Sequence, residues 1–178
     1  INDVLTLSKL DESAFENDGA TAINLYAVAQ RVAGRLSSFA DDQGVRVRVE
    51  GASACIAGSE TLAEEMLYNL IENGIRYNHE GGLVTMKVGS ECVEGGLANA
   101  AYQTVVRVSD TGPGIPAELH DKVFERFFRV DKSRSKETGG TGLGLAIVKH
   151  AVMYHGGVIE VESAEGQGTT FVLRFPSA

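Results

Sequence analysis

The stretch from Gly144 to Pro176 changes period partway along, and this narrows the folds open to the chain. Gly144 to His155 ("GLAIVKHAVMYH") reads as a helix, stopped by Gly156 and Gly157. "VIEVES" and "TTFVLRF" then read as strands joined by "AEGQG", a hairpin signal. Upstream segments continue this mixture without a strict β-α-β alternation. The order favours a two-layer α/β sandwich with a mixed, mostly antiparallel sheet over a doubly wound fold.

The remaining segments are read the same way. Residues 1–12 carry Ile1, Val4, Leu5 and Leu10 at helix-like spacing, and "ENDGATA" breaks the pattern. Residues 25–43 place Leu25, Val28, Ala29, Val32, Leu36 and Phe39 on one side of a helix. "VRVRV" (Val45 to Val49) alternates as a half-buried strand should. A long helix runs from about Ser59 to Tyr77, followed by strands "LVTMKV" and "TVVRVSD" across a Gly- and Ala-rich connection. The region 111–142 is rich in Gly, Pro and charge and is the least regular. No internal repeat is present.

Composition excludes several classes of function. With 178 residues, 43% hydrophobic and 22% charged, the chain fits one soluble globular domain. No apolar run approaches the ~18 residues of a membrane span. The chain starts at Ile1 and not at Met, and "INDVLTLSKL" is too polar for a signal peptide. It therefore reads as part of a longer protein. A formal net charge of −8 argues against a nucleic-acid surface. Cys55 and Cys92 lack metal or redox spacing and read as plain structural cysteines in a reducing cytoplasm.

Three segments carry chemistry. In "EEMLYNLIENGIRYN", Asn69, Asn73 and Arg76 fall within about 60° of one another on a helix, with Tyr77 beside them. They sit at the edge of the apolar stripe of Ala63, Leu67, Leu70 and Ile71. An amide oxygen there suits Mg²⁺, an arginine suits a phosphate, and a tyrosine suits a base. The same pattern fits a helix with ordinary boundary asparagines. "SDTGPGIP" presents Asp110 at a strand end, able to accept from an exocyclic amine, with Gly112 and Gly114 permitting close approach. A tight Pro/Gly turn would look alike. "GGTGLGLAIVKH" feeds glycines into a helix N-terminus, which favours phosphate. It follows a polar stretch and not a strand, so a dinucleotide fingerprint fails on context.

In order and spacing these segments resemble the N, G1 and G2 boxes of sensor histidine kinases, and "VFERFFRVDKSRS" resembles their F box. The resemblance spans about residue 20 to Pro176 and implies a Bergerat-type ATP-binding sandwich, shared with DNA gyrase, MutL and heat-shock chaperones. It implies ATP and Mg²⁺, with Asn73 as the metal ligand and Asn69 near the phosphates. Arg76 takes a basic phosphate-contacting position and Tyr77 the place against the adenine ring. Asp110 would hold the adenine amine, with Gly112, Gly114 and Ile115 shaping the pocket. Arg126 and Arg129 would meet the γ-phosphate or the transferring group. Thr141, Gly142, Leu143 and Gly144 would wrap the phosphates, and residues around 130–140 would form a lid. Thr169 would approach the adenine through a water. Gly74 departs from the family, which usually has Ala there, at a helix cost of ~1 kcal/mol.

Related ATPases carry a general-base Glu one turn before the metal-binding Asn. Here that position is Asn69, and Glu72 points roughly 100° away from Asn73. Transfer to a protein acceptor is therefore favoured over hydrolysis by a GHKL ATPase. The same lack of a Glu at position 69 argues against an anti-sigma-factor kinase, and the intact boxes argue against a non-catalytic module. None of His79, His120, His150 and His155 suits the acceptor: "YNHEGGL" is a turn, and the last two belong to the final helix. The resemblance thus implies an absent dimerisation and phosphoacceptor domain, whose second hairpin helix ends in residues 1–14, with 15–178 the ATP-binding domain. It further implies a homodimeric parent, a response-regulator partner, and a cytoplasmic domain of a membrane-anchored protein. The fragment itself is expected to contact neither membrane nor nucleic acid.

Overall fold

The computed structural model describes residues 21–93, 101–130 and 141–178. The helix end expected in residues 1–12, the connection around 94–100 and all but the first residue of the lid expected around 130–140 lie outside the described residues. The elements run in the order β1 (Thr21–Asn24), α1 (Leu25–Arg35), α2 (Ser37–Asp42), β2 (Arg46–Gly51), β3 (Cys55–Gly58), α3 (Glu60–Arg76), β4 (Leu83–Val93), β5 (Ala101–Asp110), α4 (Gly144–Tyr154), β6 (Val158–Ser163) and β7 (Thr169–Pro176). Two 3₁₀ turns, Ala117–Leu119 and Lys122–Phe124, lie between β5 and α4.

Five strands form one sheet in the order β2-β4-β5-β7-β6. Among the described residues, only β2 and β4 of this sheet pair parallel; the other pairs are antiparallel, as expected. Side chains alternate across a strand, so Val84, Met86, Val106, Val108, Phe171 and Leu173 share one face in register. That face is buried under the helices, with Leu25, Val32, Met66, Leu70, Ile147 and Val148 all nearly inaccessible. Helix α3 packs against both α1 and α4 and rests on β4 and β5.

Local chemistry sets the helix ends. The Asn24 side chain accepts from Tyr26 and Ala27 N–H, and the Ser59 hydroxyl accepts from Leu62 N–H, capping α1 and α3. The single helix expected over 25–43 is instead two. Leu36 leaves helical torsions (φ −93°, ψ 2°), and the Ser37 hydroxyl donates to the Gly34 carbonyl at 2.9 Å. Strands β4 and β5 each extend beyond the segments expected from their alternation. A further antiparallel pair, β1 with β3, forms a separate two-stranded sheet. Four-residue strands are too short to show a period, and this pair is recognisable only by its distant partner.

Cys55 is half-buried on β3, while Cys92 is exposed on β4 and so holds no part of the core. Among the described residues, no helix is long and apolar enough to cross a membrane.

Candidate functional site

Helix α3 carries the first half of the site. Asn69 donates through Nδ2 to the Glu65 carbonyl at 2.8 Å, which leaves Oδ1 directed at the start of α4. A Cβ built on Gly144, the first residue of α4, would stand 2.8 Å from Asn69 Oδ1 and 3.6 Å from Asn73 Nδ2. The N-terminus of α4 therefore faces the asparagine pair directly. Among the described residues no side chain caps this helix, so its dipole and first N–H groups suit an anion. Leu143, buried at the cap, anchors the start in the core. Gly142 has φ +73°, a Cβ there would stand 2.9 Å from the Phe127 carbonyl carbon, and the Phe127 N–H donates to the Gly142 carbonyl at 2.8 Å. Phe127 is the one non-glycine with positive φ (66°) among the described residues, and its ring is exposed.

The second half lies at the end of β5. Asp110 pairs across the sheet with Val84 on β4 and Thr169 on β7. Its carboxylate accepts from Gly112 N–H at 2.8 Å and from Thr169 N–H. Burial pushes the Asp110 carboxyl above the usual carboxylate range, and those two N–H groups pull it partly back. Glycine is required next to it. At Gly114 (φ +75°) a Cβ would lie 2.0 Å from the Ala164 carbonyl oxygen, so this loop and the β6–β7 turn are in backbone contact. Ile115 is clamped at both ends: its N–H donates to Ser163 Oγ at 2.8 Å, and its carbonyl lies 3.0 Å from His120 Nε2.

Most residues expected at the site are brought together. Asn69, Asn73 and Gly144 form one group; Asp110, Gly112, Gly114, Ile115 and Thr169 form the other. Helix α3 joins them, because Gly74 lies against Val84 and Asp110, and the Tyr77 carbonyl lies against Gly112. The Tyr77 side chain is half exposed. Arg76 lies beside the asparagines in sequence, yet its guanidinium donates to Glu72 at 2.6 Å and covers the Phe39 ring at 5.6 Å. Glu72 is thus held by an ion pair on that side of α3. Thr141 accepts weakly from Leu143 N–H at 3.4 Å. Arg126, exposed, and Arg129, half-buried, flank the strained Phe127.

Sequence reasoning missed Ser163 and His120 as the clamp on Ile115. It also missed Asn78, whose Oδ1 accepts from the Thr111 hydroxyl at 3.1 Å and ties the end of α3 to the loop after Asp110. Ser163 had a readable signal: alternation in "VIEVES" turns it to the same side as Ile159 and Val161. Nothing local marked the others.

The donor set fits a hard cation only in part. Asn69 Oδ1 is fixed toward α4, and turning the Asn73 amide by 180° exchanges its nitrogen for an oxygen at the same place. Among the described residues, no group of three His, Cys, Asp or Glu side chains could hold a metal. An ion here would take most ligands from phosphate oxygens and water, as Mg²⁺ does.

Comparison with known proteins identifies the family of the chain. A family model described as "Histidine kinase-, DNA gyrase B-, and HSP90-like ATPase" matches residues 58–178. The sensor protein IrlS of Burkholderia pseudomallei is 38% identical over 177 residues, 99% of this chain and 36% of that protein. The chain thus spans about a third of the length of this curated relative. Among solved structures, the mycobacterial sensor histidine kinase MprB superposes with a TM-score of 0.73 at 26% identity, covering 89% of this chain and 98% of that one. Full-length ShkA, crystallised with AMPPNP, gives a TM-score of 0.79 at 28% identity over 99% of this chain and 35% of that one.

Proposed function

The chain belongs to the histidine kinase-, DNA gyrase B- and HSP90-like ATPase family, and from that premise we propose that it is the Mg-ATP-binding catalytic domain of a two-component sensor histidine kinase. The observation that carries the reading is the approach of Gly144 to Asn69 and Asn73, beside a buried carboxylate at Asp110. Such an arrangement takes a base at one end and phosphates at the other. Asp110 accepts the adenine amine between the Gly112 and Thr169 N–H groups, while Ile115 walls the base. Asn69 and the N-terminus of α4 take the phosphates. Asn73 would hold Mg²⁺, which when bound offsets phosphate charge.

The reaction proposed is transfer of the γ-phosphoryl group to a histidine of a separate dimerisation domain. The bond from γ-phosphorus to the bridging oxygen breaks, a bond to imidazole nitrogen forms, and ADP leaves. The imidazole proton passes to an acidic residue beside that histidine. Catalysis then rests on position and electrostatics. Hydrolysis is disfavoured because Asn69 stands where a related ATPase has its general base and Glu72 is paired with Arg76. Residues 1–14 would end the second helix of the dimerisation hairpin. The whole protein would be a homodimer anchored to a membrane, with this domain in the cytoplasm, passing phosphate to a response-regulator aspartate. Arg126 and Arg129 are the candidates to meet the γ-phosphate.

Isothermal calorimetry with Mg-ATP tests the site. Asn73→Ala should abolish binding, and unchanged affinity would overturn the assignment. Incubating γ-labelled ATP with a longer chain that includes the upstream hairpin tests the reaction. Acid-labile, base-stable label on protein is expected; free phosphate without labelled protein would point to an ATPase.

A further inference from the structure

Asp110, Thr169 and Ser163 stand side by side in register across β5, β7 and β6, and alternation turns all three to the helix side. Their hydrogen bonds have a direction that can be assigned. Ser163 Oγ donates to the Gly168 carbonyl at 2.8 Å and accepts from Ile115 N–H at 2.8 Å. A carbonyl can only accept, so the single serine hydrogen is committed to Gly168. Thr169 Oγ1 lies 3.0 Å from the same serine oxygen. The threonine must therefore supply the hydrogen of that bond, which leaves only lone pairs on its hydroxyl. Beside it, the Asp110 carboxylate is also an acceptor when ionised. The row at the base edge then offers acceptors and no hydroxyl hydrogen.

We propose that Ser163 is a positioning residue for base selection: by drawing the Thr169 hydrogen to itself, it makes the pocket select a purine bearing an amine at C6 over one bearing oxygen there. The inference rests on the reading of Asp110 as the base-binding group. Ser163 need not touch the nucleotide. It acts through the direction of one neighbouring O–H, and its bond to Ile115 keeps the pocket wall in place meanwhile.

Calorimetric Kd values for ATP and for ITP, which carries oxygen at C6, test this. The native chain should prefer ATP. Ser163→Ala releases the threonine hydrogen to turn toward an oxygen, so the ATP-over-ITP preference should fall about three- to tenfold, the worth of one hydrogen bond. Ser163→Thr keeps a hydroxyl and should keep the preference. In a Thr169→Val background, adding Ser163→Ala should leave the preference unchanged. If Ser163→Ala weakens both nucleotides equally, the residue only supports the loop and the proposal fails. Loss of the preference in Ser163→Thr, or a further change in the Thr169→Val background, would also overturn it. Equal native affinity for ATP and ITP would overturn base selection while leaving the ATP site standing. Absence of binding by either nucleotide would overturn both.

Discussion

Gly144→Ala separates nucleotide binding from folding more cleanly than other changes at the site. The added methyl would stand 2.8 Å from Asn69 Oδ1, well inside ordinary contact, since non-bonded carbons sit about 3.5–4.0 Å apart. Asn69 cannot withdraw freely, because Nδ2 is tied to the Glu65 carbonyl at 2.8 Å. Giving up that bond costs about 1 kcal/mol. Against this, alanine is favoured over glycine in a helix by up to about 1 kcal/mol. The two nearly cancel, so urea unfolding should show a stability change within about 1 kcal/mol. Affinity should behave differently. The methyl occupies the space between the α4 N-terminus and the asparagine pair, where a phosphate would sit 2.7–3.0 Å from its donors. Calorimetry should show Mg-ATP binding weakened at least tenfold, equivalent to about 1.4 kcal/mol. Adding Asn69→Ala removes the overlap without restoring binding. Native-like affinity in the Gly144→Ala protein would refute the placement of phosphates at this helix end. A stability loss above about 3 kcal/mol would refute the energetic balance instead.

Asp110→Asn should raise the melting temperature of the nucleotide-free protein at pH 7 while abolishing ATP binding. Because burial raises the folded-state pKa of Asp110, its contribution to stability is complete below the ordinary value of 3.8 and is lost as pH rises through the raised one. The gain of the Asn variant should therefore shrink as pH falls toward 4, and a gain independent of pH in thermal melts would contradict this. Gly74→Ala should shift stability by less than about 1 kcal/mol despite the better helix residue. Its Cβ would lie 3.1 and 3.2 Å from the two methyls of Val84, and a β-branched side chain yields poorly. Val84→Ala should expose the hidden helix gain as a positive coupling in a double-mutant cycle, and strict additivity would count against the crowding.

The departure at Gly74 shows how local and tertiary readings diverge. By sequence the glycine is a weakness in the interior of α3. In the fold it is where the helix comes down onto β4 and onto the strand end that carries Asp110. Arg76 diverges in the other direction. Its place on the helix wheel puts it with the asparagines, yet a neighbouring glutamate and the Phe39 ring on α2 hold its guanidinium. Wheel angles place Cα–Cβ directions, and a long side chain is free to follow charge and aromatic surface from there.

Sequence alone determined the elements with a long period: the α3 and α4 helices, the closing hairpin and the mostly antiparallel sandwich. Three chemically distinctive segments were also plain in it, because glycine, asparagine and aspartate carry local constraints wherever they stand. Only the tertiary structure decided that the β1–β3 pair exists and that Gly144 meets Asn69. It also placed Asp110 between two N–H donors from separate segments and put Ser163 behind Thr169. The β1–β3 pair, the Gly144–Asn69 approach and the Asp110–Thr169 pairing join residues far apart in the chain, and even the six-residue step from Ser163 to Thr169 depends on contacts of about 3 Å that periodicity does not encode. The segments named a chemistry; packing across β5, β7 and β6 set which hydrogens and lone pairs the site presents.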